Sequence, residues 1–138
     1  MIRIGIVIAD FNSEITSVME KEAVKEAERL GTKIAANANV PGVYDMPLAV
    51  STLLERKDID GVVTIGAVIK GETRHDEVIV SSIAHAFIEL SLKHKKPVGL
   101  GIIGPGVSWE KAKERANEYA KRSVRSVVSV AKVLKSRK

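Results

Sequence analysis

Three observations predict a three-layer α/β/α fold around a four-stranded parallel sheet. Apolar runs and helical patterns alternate along the whole chain. Three of the four runs are near-continuous in Val, Ile, Leu and Gly, as strands are when helices cover both faces of a sheet. No linker, repeat or low-complexity stretch interrupts the alternation, so the 138 residues read as one domain, 1–138. A β-α-β-α-β-α-β-α order gives parallel strands joined by right-handed crossovers, flavodoxin-like in general plan.

The first strand is IRIGIVIAD, 2–10. It contains an apolar run, but an acid ends it and no small-residue cleavage site follows, so it is read as a strand and not as a signal peptide. Ile15, Val18, Met19, Ala23, Ala27 and Leu30 then keep a 3.6-residue period, with Asn12 or Ser13 as N-cap and Gly31 as the stop. The second strand, KIAANANV (33–40), is the most polar and is expected at an edge. Pro47 to Arg56 forms a short helix with proline in its first turn. The third strand is GVVTIGAVI, 61–69, and the third helix runs from Asp76 to His94. That helix is apolar all round, which asks for a second cover beyond the sheet. A subunit interface would supply it, and so would the C-terminal helix of the same chain. The fourth strand is PVGLGIIG, 97–104. From Ser108 on, apolar or small residues recur at 112, 116, 120, 124, 127, 131 and 134. That pattern is longer than most globular helices, so a kink is expected in its first half.

Composition narrows the function. With no cysteine, disulfides, thiolate metal sites and a cysteine nucleophile are excluded, and a cytoplasmic address is the default. No apolar stretch approaches the ~20 residues of a membrane span. From Glu110 onward ten Lys/Arg face three acids, a local charge of +7, which leaves −2 for the rest of a chain whose net charge is +5. This is either a solvated helix face that attracts anionic ligands or a nucleic-acid surface. The first is favoured, because the chain's five aromatics form no stacking platform among the basic residues.

The unusual residues fall in the loops after the strands, where open α/β sheets bind ligands. They are Asp10-Phe11-Asn12, the stretch VPGVYD at 40–45, KGETRH at 70–75, and GPGVS at 104–108. The connections at the opposite ends, GTK, RKDID and HKK, are plain. Phe11, past a strand end, is either a core aromatic or a ring that stacks on a flat heterocycle. Asp45 is either a helix cap before Pro47 or an acceptor for ligand hydroxyls. His75 precedes a helix and follows Gly71-Glu72-Thr73, whose N–H groups can cradle an anion. An imidazole beside an anion suits acid/base work. His85 and His94 are assigned to structure. Three scattered histidines make no metal site, and neither HExxH, a P-loop nor GxSxG occurs.

From about residue 2 to about 131 the chain resembles the 6,7-dimethyl-8-ribityllumazine synthases of riboflavin biosynthesis, in an archaeal-like form. The resemblance is carried by FN at 11–12, VPGVYDMP at 40–47, GAVIKGETRHDEV at 66–78, PVGLGI at 97–102 and ERA at 114–116. It implies condensation of 5-amino-6-(D-ribitylamino)uracil with 3,4-dihydroxy-2-butanone 4-phosphate, with loss of phosphate and water and with neither metal nor organic cofactor. It implies that Phe11 stacks on the pyrimidine and that Asn12 beside it is also a substrate-binding residue. Val43 and Tyr44 would touch the ribityl chain and ring edge through their backbone, and Asp45 would bind ribityl hydroxyls where a glutamate is usual. Val68, Ile69 and Lys70 would hold the pyrimidine through the main chain. Glu72 and Thr73 would form the phosphate cradle, and His75 would be the acid/base. Leu100 and Arg115 would reach in from the neighbouring subunit, Arg115 onto the phosphate. A lysine usual in the family falls on Ser123, with Lys121 and Arg122 nearby. The implied assembly is a homo-oligomer with shared sites, a pentamer or a closed shell of twelve pentamers, with small-molecule substrates and neither nucleic acid nor membrane as partner. The rivals are the archaeal type of riboflavin synthase, against which GETRHDE argues, a non-catalytic flavin- or nucleotide-binding module, and a basic scaffold that binds nucleic acid.

Overall fold

The strand order follows from which strands tolerate an open side. In the computed structural model, which describes residues 1–71 and 76–137, β1 (Arg3–Ala9), β2 (Lys33–Val40), β3 (Gly61–Ile69) and β4 (Val98–Val107) form one sheet in the order β2-β1-β3-β4. All three pairings are parallel. β3 is buried at all nine positions and lies inside the sheet. β2, with exposed and half-buried side chains throughout, takes an edge as expected.

Alternate side chains feed two helical layers. Ile4, Ile6 and Ile8 of β1 and Val63 and Ile65 of β3 pack against α1 (Ser13–Arg29) and α4 (Trp109–Ser136). Val7, Ala9 and Val62 face α2 (Met46–Leu54) and α3 (Asp76–His94). The one polar side chain inside β3 is satisfied: the Thr64 hydroxyl donates to the Gly99 carbonyl at 2.6 Å and accepts from Gly101 N–H at 3.3 Å. Gly99 lets α4 lie close on β4, since a Cβ there would stand 2.5 Å from Ser123 Oγ and 2.9 Å from the Ser123 carbonyl oxygen. Among the described residues no helix is long and apolar enough to cross a membrane.

Three expectations are corrected. The C-terminal helix is not interrupted in its first half: α4 runs unbroken for 28 residues. No glycine or proline lies within it, Ser108 Oγ caps its start by accepting from Lys111 N–H at 3.2 Å, and buried alanines at 112, 116 and 120 keep its seam continuous through the first half. The fourth strand does not end at 104 but continues to Val107, which pairs with Ile69 after a register shift. Pro105, lacking an N–H, is tolerated there because β4 is an edge. The second helix is shorter than expected, 46–54, and a 3-10 turn at Val43–Asp45 precedes it.

α3 keeps part of its apolar surface uncovered. It buries Val80, Ile83 and Phe87, while Val78, Ile88 and Leu92 are 61%, 60% and 65% exposed. The C-terminal helix does not cover it, because α4 packs with α1 on the opposite face of the sheet.

One buried charge ties the α1/α4 layer together. Glu26, 3% exposed, accepts from Arg29 at 2.6 and 3.0 Å and from Arg125 of α4 at 2.8 Å. The Arg29 hydrogen bonds, then that of Arg125, hold its carboxyl at about 2 instead of 4.5. A carboxyl depressed in the folded state stabilises fully above its unfolded value, and that contribution disappears as pH falls toward 2. Glu26→Gln should cost about 1–3 kcal/mol at neutral pH, the scale of hydrogen bonds to a charged group. In denaturation measured across a pH series, the gap between variant and parent should close between 4.5 and about 2.

Candidate active site

The loops after β1 and β2 are stitched to each other and to β3. Asp10 N–H donates to the Val40 carbonyl at 2.8 Å, and Phe11 N–H donates to the Pro41 carbonyl at 2.9 Å. The Asn39 amide donates to Asp10 Oδ1 at 2.8 Å. Asn12 sits in the left-handed region at φ 65°. This conformation is open to asparagine and costly for most residues. Its carbonyl receives the first N–H groups of α1, from Ile15 and Thr16. Its side chain does not cap the helix but donates to the Ala67 carbonyl of β3 at 2.9 Å. The chain turns so sharply here that the Phe11 ring is left 60% exposed at the mouth of a hollow.

That hollow, about 240 Å³, is lined by Phe11, Val43, Tyr44, Val68 and Ile69, five of the residues the sequence singled out. Among the described residues Gly42, Ala67 and Ile79 also line it. Its walls are apolar and two carry aromatic rings, which suits a flat heterocycle held by stacking and by main-chain groups at the strand ends. Ile79 was not foreseen, although its place in the first turns of α3 puts it beside the end of β3. Asp45 is exposed, and its Oδ2 accepts from Gly42 N–H at 3.0 Å across the 3-10 turn. The carboxylate thus shapes the 42–45 turn at the cavity mouth and does not line the cavity itself. Lys70 is exposed, and its N–H bonds the Val107 carbonyl at 2.8 Å.

Glu72, Thr73 and His75 lie outside the described residues. The anchors on either side are described. Gly71 takes φ 92°, and Asp76 Oδ2, at the start of α3, accepts from Gly106 N–H at 2.9 Å. The sequence did not single out Asp76, since an acid in a first helical turn has a sufficient local reason to be there.

Leu100 and Arg115 line no part of this cavity. Leu100, 47% exposed, stands on β4, and Arg115 is exposed on α4. Position 123, where a lysine is usual by the resemblance, holds a buried serine against β4. His85 is exposed beside Glu89 at 3.2 Å, and His94 is half-buried in the last turn of α3, so neither belongs to the hollow.

Comparison with known proteins identifies the family. The family model described as 6,7-dimethyl-8-ribityllumazine synthase matches residues 1–135. The chain belongs to the 6,7-dimethyl-8-ribityllumazine synthase family. It is 51% identical to the enzyme of that name from Metallosphaera sedula over 98% of this chain and 89% of the relative. It is also 51% identical to the one from Methanocaldococcus jannaschii, over 99% and 96%. The one from Staphylothermus marinus is 48% identical over 99% and 91%. Every lumazine synthase motif read from the sequence falls within the matched span.

The Asn12 tie is testable by itself. Asn12→Ala should destabilise the fold by roughly 1–3 kcal/mol, combining a lost hydrogen bond with the cost of a left-handed alanine. Asn12→Gly should cost less, because glycine accepts that backbone without the steric penalty. Chemical denaturation of the two variants checks the order.

Proposed function

We propose that this chain is a transferase that forms 6,7-dimethyl-8-ribityllumazine in riboflavin biosynthesis, from 5-amino-6-(D-ribitylamino)uracil and 3,4-dihydroxy-2-butanone 4-phosphate. Membership of the family over residues 1–135 carries the reading. The exposed Phe11 ring over an apolar hollow at the sheet's carboxyl edge supports it.

In this reading the pyrimidine lies on Phe11 and meets the main chain of Val68, Ile69 and Lys70. Val43 and Tyr44 follow the ribityl chain, and Asp45 accepts from its hydroxyls. Asn12 holds the loop that presents Phe11. Glu72 and Thr73 cradle the phosphate from the N-terminus of α3. The primary amine adds to the ketone, its proton leaves, and loss of water gives a Schiff base. Phosphate then departs as its C–O bond breaks and a neighbouring C–H gives up its proton. The enol left by that loss tautomerises to a new carbonyl, and the ribityl-bearing nitrogen closes the ring on it with loss of a second water. His75 moves protons in these steps. Nothing is oxidised or reduced overall, so the reaction calls for no redox cofactor. Holding two reactants together supplies most of the acceleration. Leu100 and Arg115 line no part of the hollow of their own chain, and in this account they serve the site of a neighbouring copy. The exposed apolar face of α3 is the proposed contact of a homo-oligomer, a pentamer in its smallest form, working in the cytoplasm.

The direct test supplies both substrates to the purified protein and follows lumazine by absorbance, and no product would refute the assignment. Two variants then separate the roles. Arg115→Ala should weaken apparent affinity for the butanone phosphate about 10- to 150-fold, the scale of one charge-assisted hydrogen bond, and leave pyrimidine affinity nearly unchanged. His75→Ala should mainly slow turnover, by roughly 10- to 100-fold, because acid/base transfer adds to a reaction dominated by proximity.

A further inference from the structure

Residues 70–75 join β3 to α3, and both flanks of this connection are held by one short segment, the last residues of β4. Lys70 N–H donates to the Val107 carbonyl at 2.8 Å. Gly106 N–H donates to Asp76 Oδ2 at 2.9 Å. Consecutive residues of β4 thus clasp the start and the end of the same connection. The segment that does so is fixed in turn. Val107 pairs with Ile69, and a Cβ at Gly104 would stand 2.5 Å from the Val68 carbonyl oxygen, so the chain lies close against β3 there. Gly106 donates from φ 75°, a conformation that glycine reaches without steric cost.

The two halves of the clasp differ in kind. The bond at Lys70 runs between main-chain groups and survives any change of side chain. The bond at Asp76 exists only because an acceptor of this length stands at 76. The helix dipole gives an acid in a first helical turn a local reason, which Glu77 shares. The dipole asks for a negative charge and for no particular partner. The contact to Gly106, 30 positions away, asks for an oxygen at one place. Asp76 is half-buried, whereas Glu77 is exposed. Among the described residues of α3 the first buried side chain is Val80, so the turn before it relies on Asp76 for a polar tie to the sheet.

We propose that Asp76 is a positioning residue for the condensation. By accepting from Gly106 it fixes the end of the connection to which His75 is joined by one peptide bond, and so holds the acid/base group within reach of the reacting pair. The proposal rests on the lumazine synthase reading and on the role that reading gives His75. A group that moves protons works over hydrogen-bond distances, so freeing its attachment by about 1 Å removes much of its effect. Pyrimidine binding, which in this reading falls to Phe11 and the main chain of β3, does not pass through the clasp.

The test is steady-state kinetics of Asp76→Ala, Asp76→Asn and Asp76→Glu, alone and combined with His75→Ala, together with hydrogen exchange at the Gly106 amide. Asp76→Ala should lower kcat about 10-fold with pyrimidine KM nearly unchanged. In the His75→Ala background it should cost almost nothing further, because a residue that acts through the imidazole then has nothing left to position. Asp76→Asn keeps an oxygen in the same place and should recover most of kcat. Asp76→Glu keeps the charge but sets its oxygens one bond further out, and should recover less. Full kcat in Asp76→Ala, an undiminished loss in the double variant, or recovery by glutamate and not by asparagine would overturn the proposal. Should Asp76→Ala not fold, the asparagine and glutamate variants decide on the same terms. Should the parent make no lumazine, the functional reading fails instead. Exchange at Gly106 then still decides the clasp: protection that is lost in Asp76→Ala and kept in Asp76→Asn supports it, and equal exchange in all three refutes it.

Discussion

β3 has a strand on either side and a helical layer over each face, and all nine of its positions are out of water. That burial is the constraint from which the rest follows. A strand closed on four sides must be apolar, and the single hydroxyl it carries, Thr64, is bonded to both Gly99 and Gly101 of β4. Covering its two faces requires helices that cross from one edge of the sheet to the other. The chain therefore leaves each strand at the same edge, and the loops rich in Gly, Pro, Asn and Asp collect there. The hollow at Phe11 is the space between those loops above the ends of β1 and β3.

The same constraint leaves surfaces unfinished. The α1/α4 layer closes well, with a buried Glu26 held by two arginines and small side chains letting α4 touch β4. The α2/α3 layer does not. α3 turns one face to the sheet and keeps Ile88 and Leu92 in water. β4 ends the sheet and leaves Leu100 exposed beside them. Arg115 and Arg122 stand exposed on α4, and the Phe11 ring stands at the mouth of a hollow lined by Val43, Val68 and Ile79 of the α2/α3 side. A condensation of a pyrimidine with a phosphorylated ketone needs both kinds of group at one place, which in the proposed function a second copy provides.

Much of this was legible because it is periodic or punctuated. The edge position of β2 could be read from its polarity. The exposed placement of Phe11 followed from its place between Asp10 and Asn12, and the apolar circumference of α3 was visible in VIVSSIAHAFIEL. What could not be read depends on contacts between segments far apart in sequence. The continuation of β4 to Val107 is set by pairing with Ile69, not by the GPG that signals a loop. The unbroken course of α4 depends on its alanine seam meeting α1 and the sheet. Asn12 reads as a helix cap, but its side chain bonds Ala67, 55 positions away, so a local signal named the residue and missed its partner. Asp45 behaves in the opposite way: the local reading as a turn residue accounts for its one hydrogen bond, and its contact with a ligand belongs to the proposed function.

The central claim is that one working site takes its stacking ring from one copy and its phosphate cation from another. Subunit mixing tests it most directly. Phe11→Ala and Arg115→Ala are prepared separately, then co-assembled, and turnover is measured with both substrates below their Michaelis constants. If the site is shared, hybrid assemblies contain some interfaces where both native residues meet, and activity exceeds that of either variant alone. If hybrids form but activity stays at the mean of the two variants, Phe11 and Arg115 act within a single chain and the account is wrong.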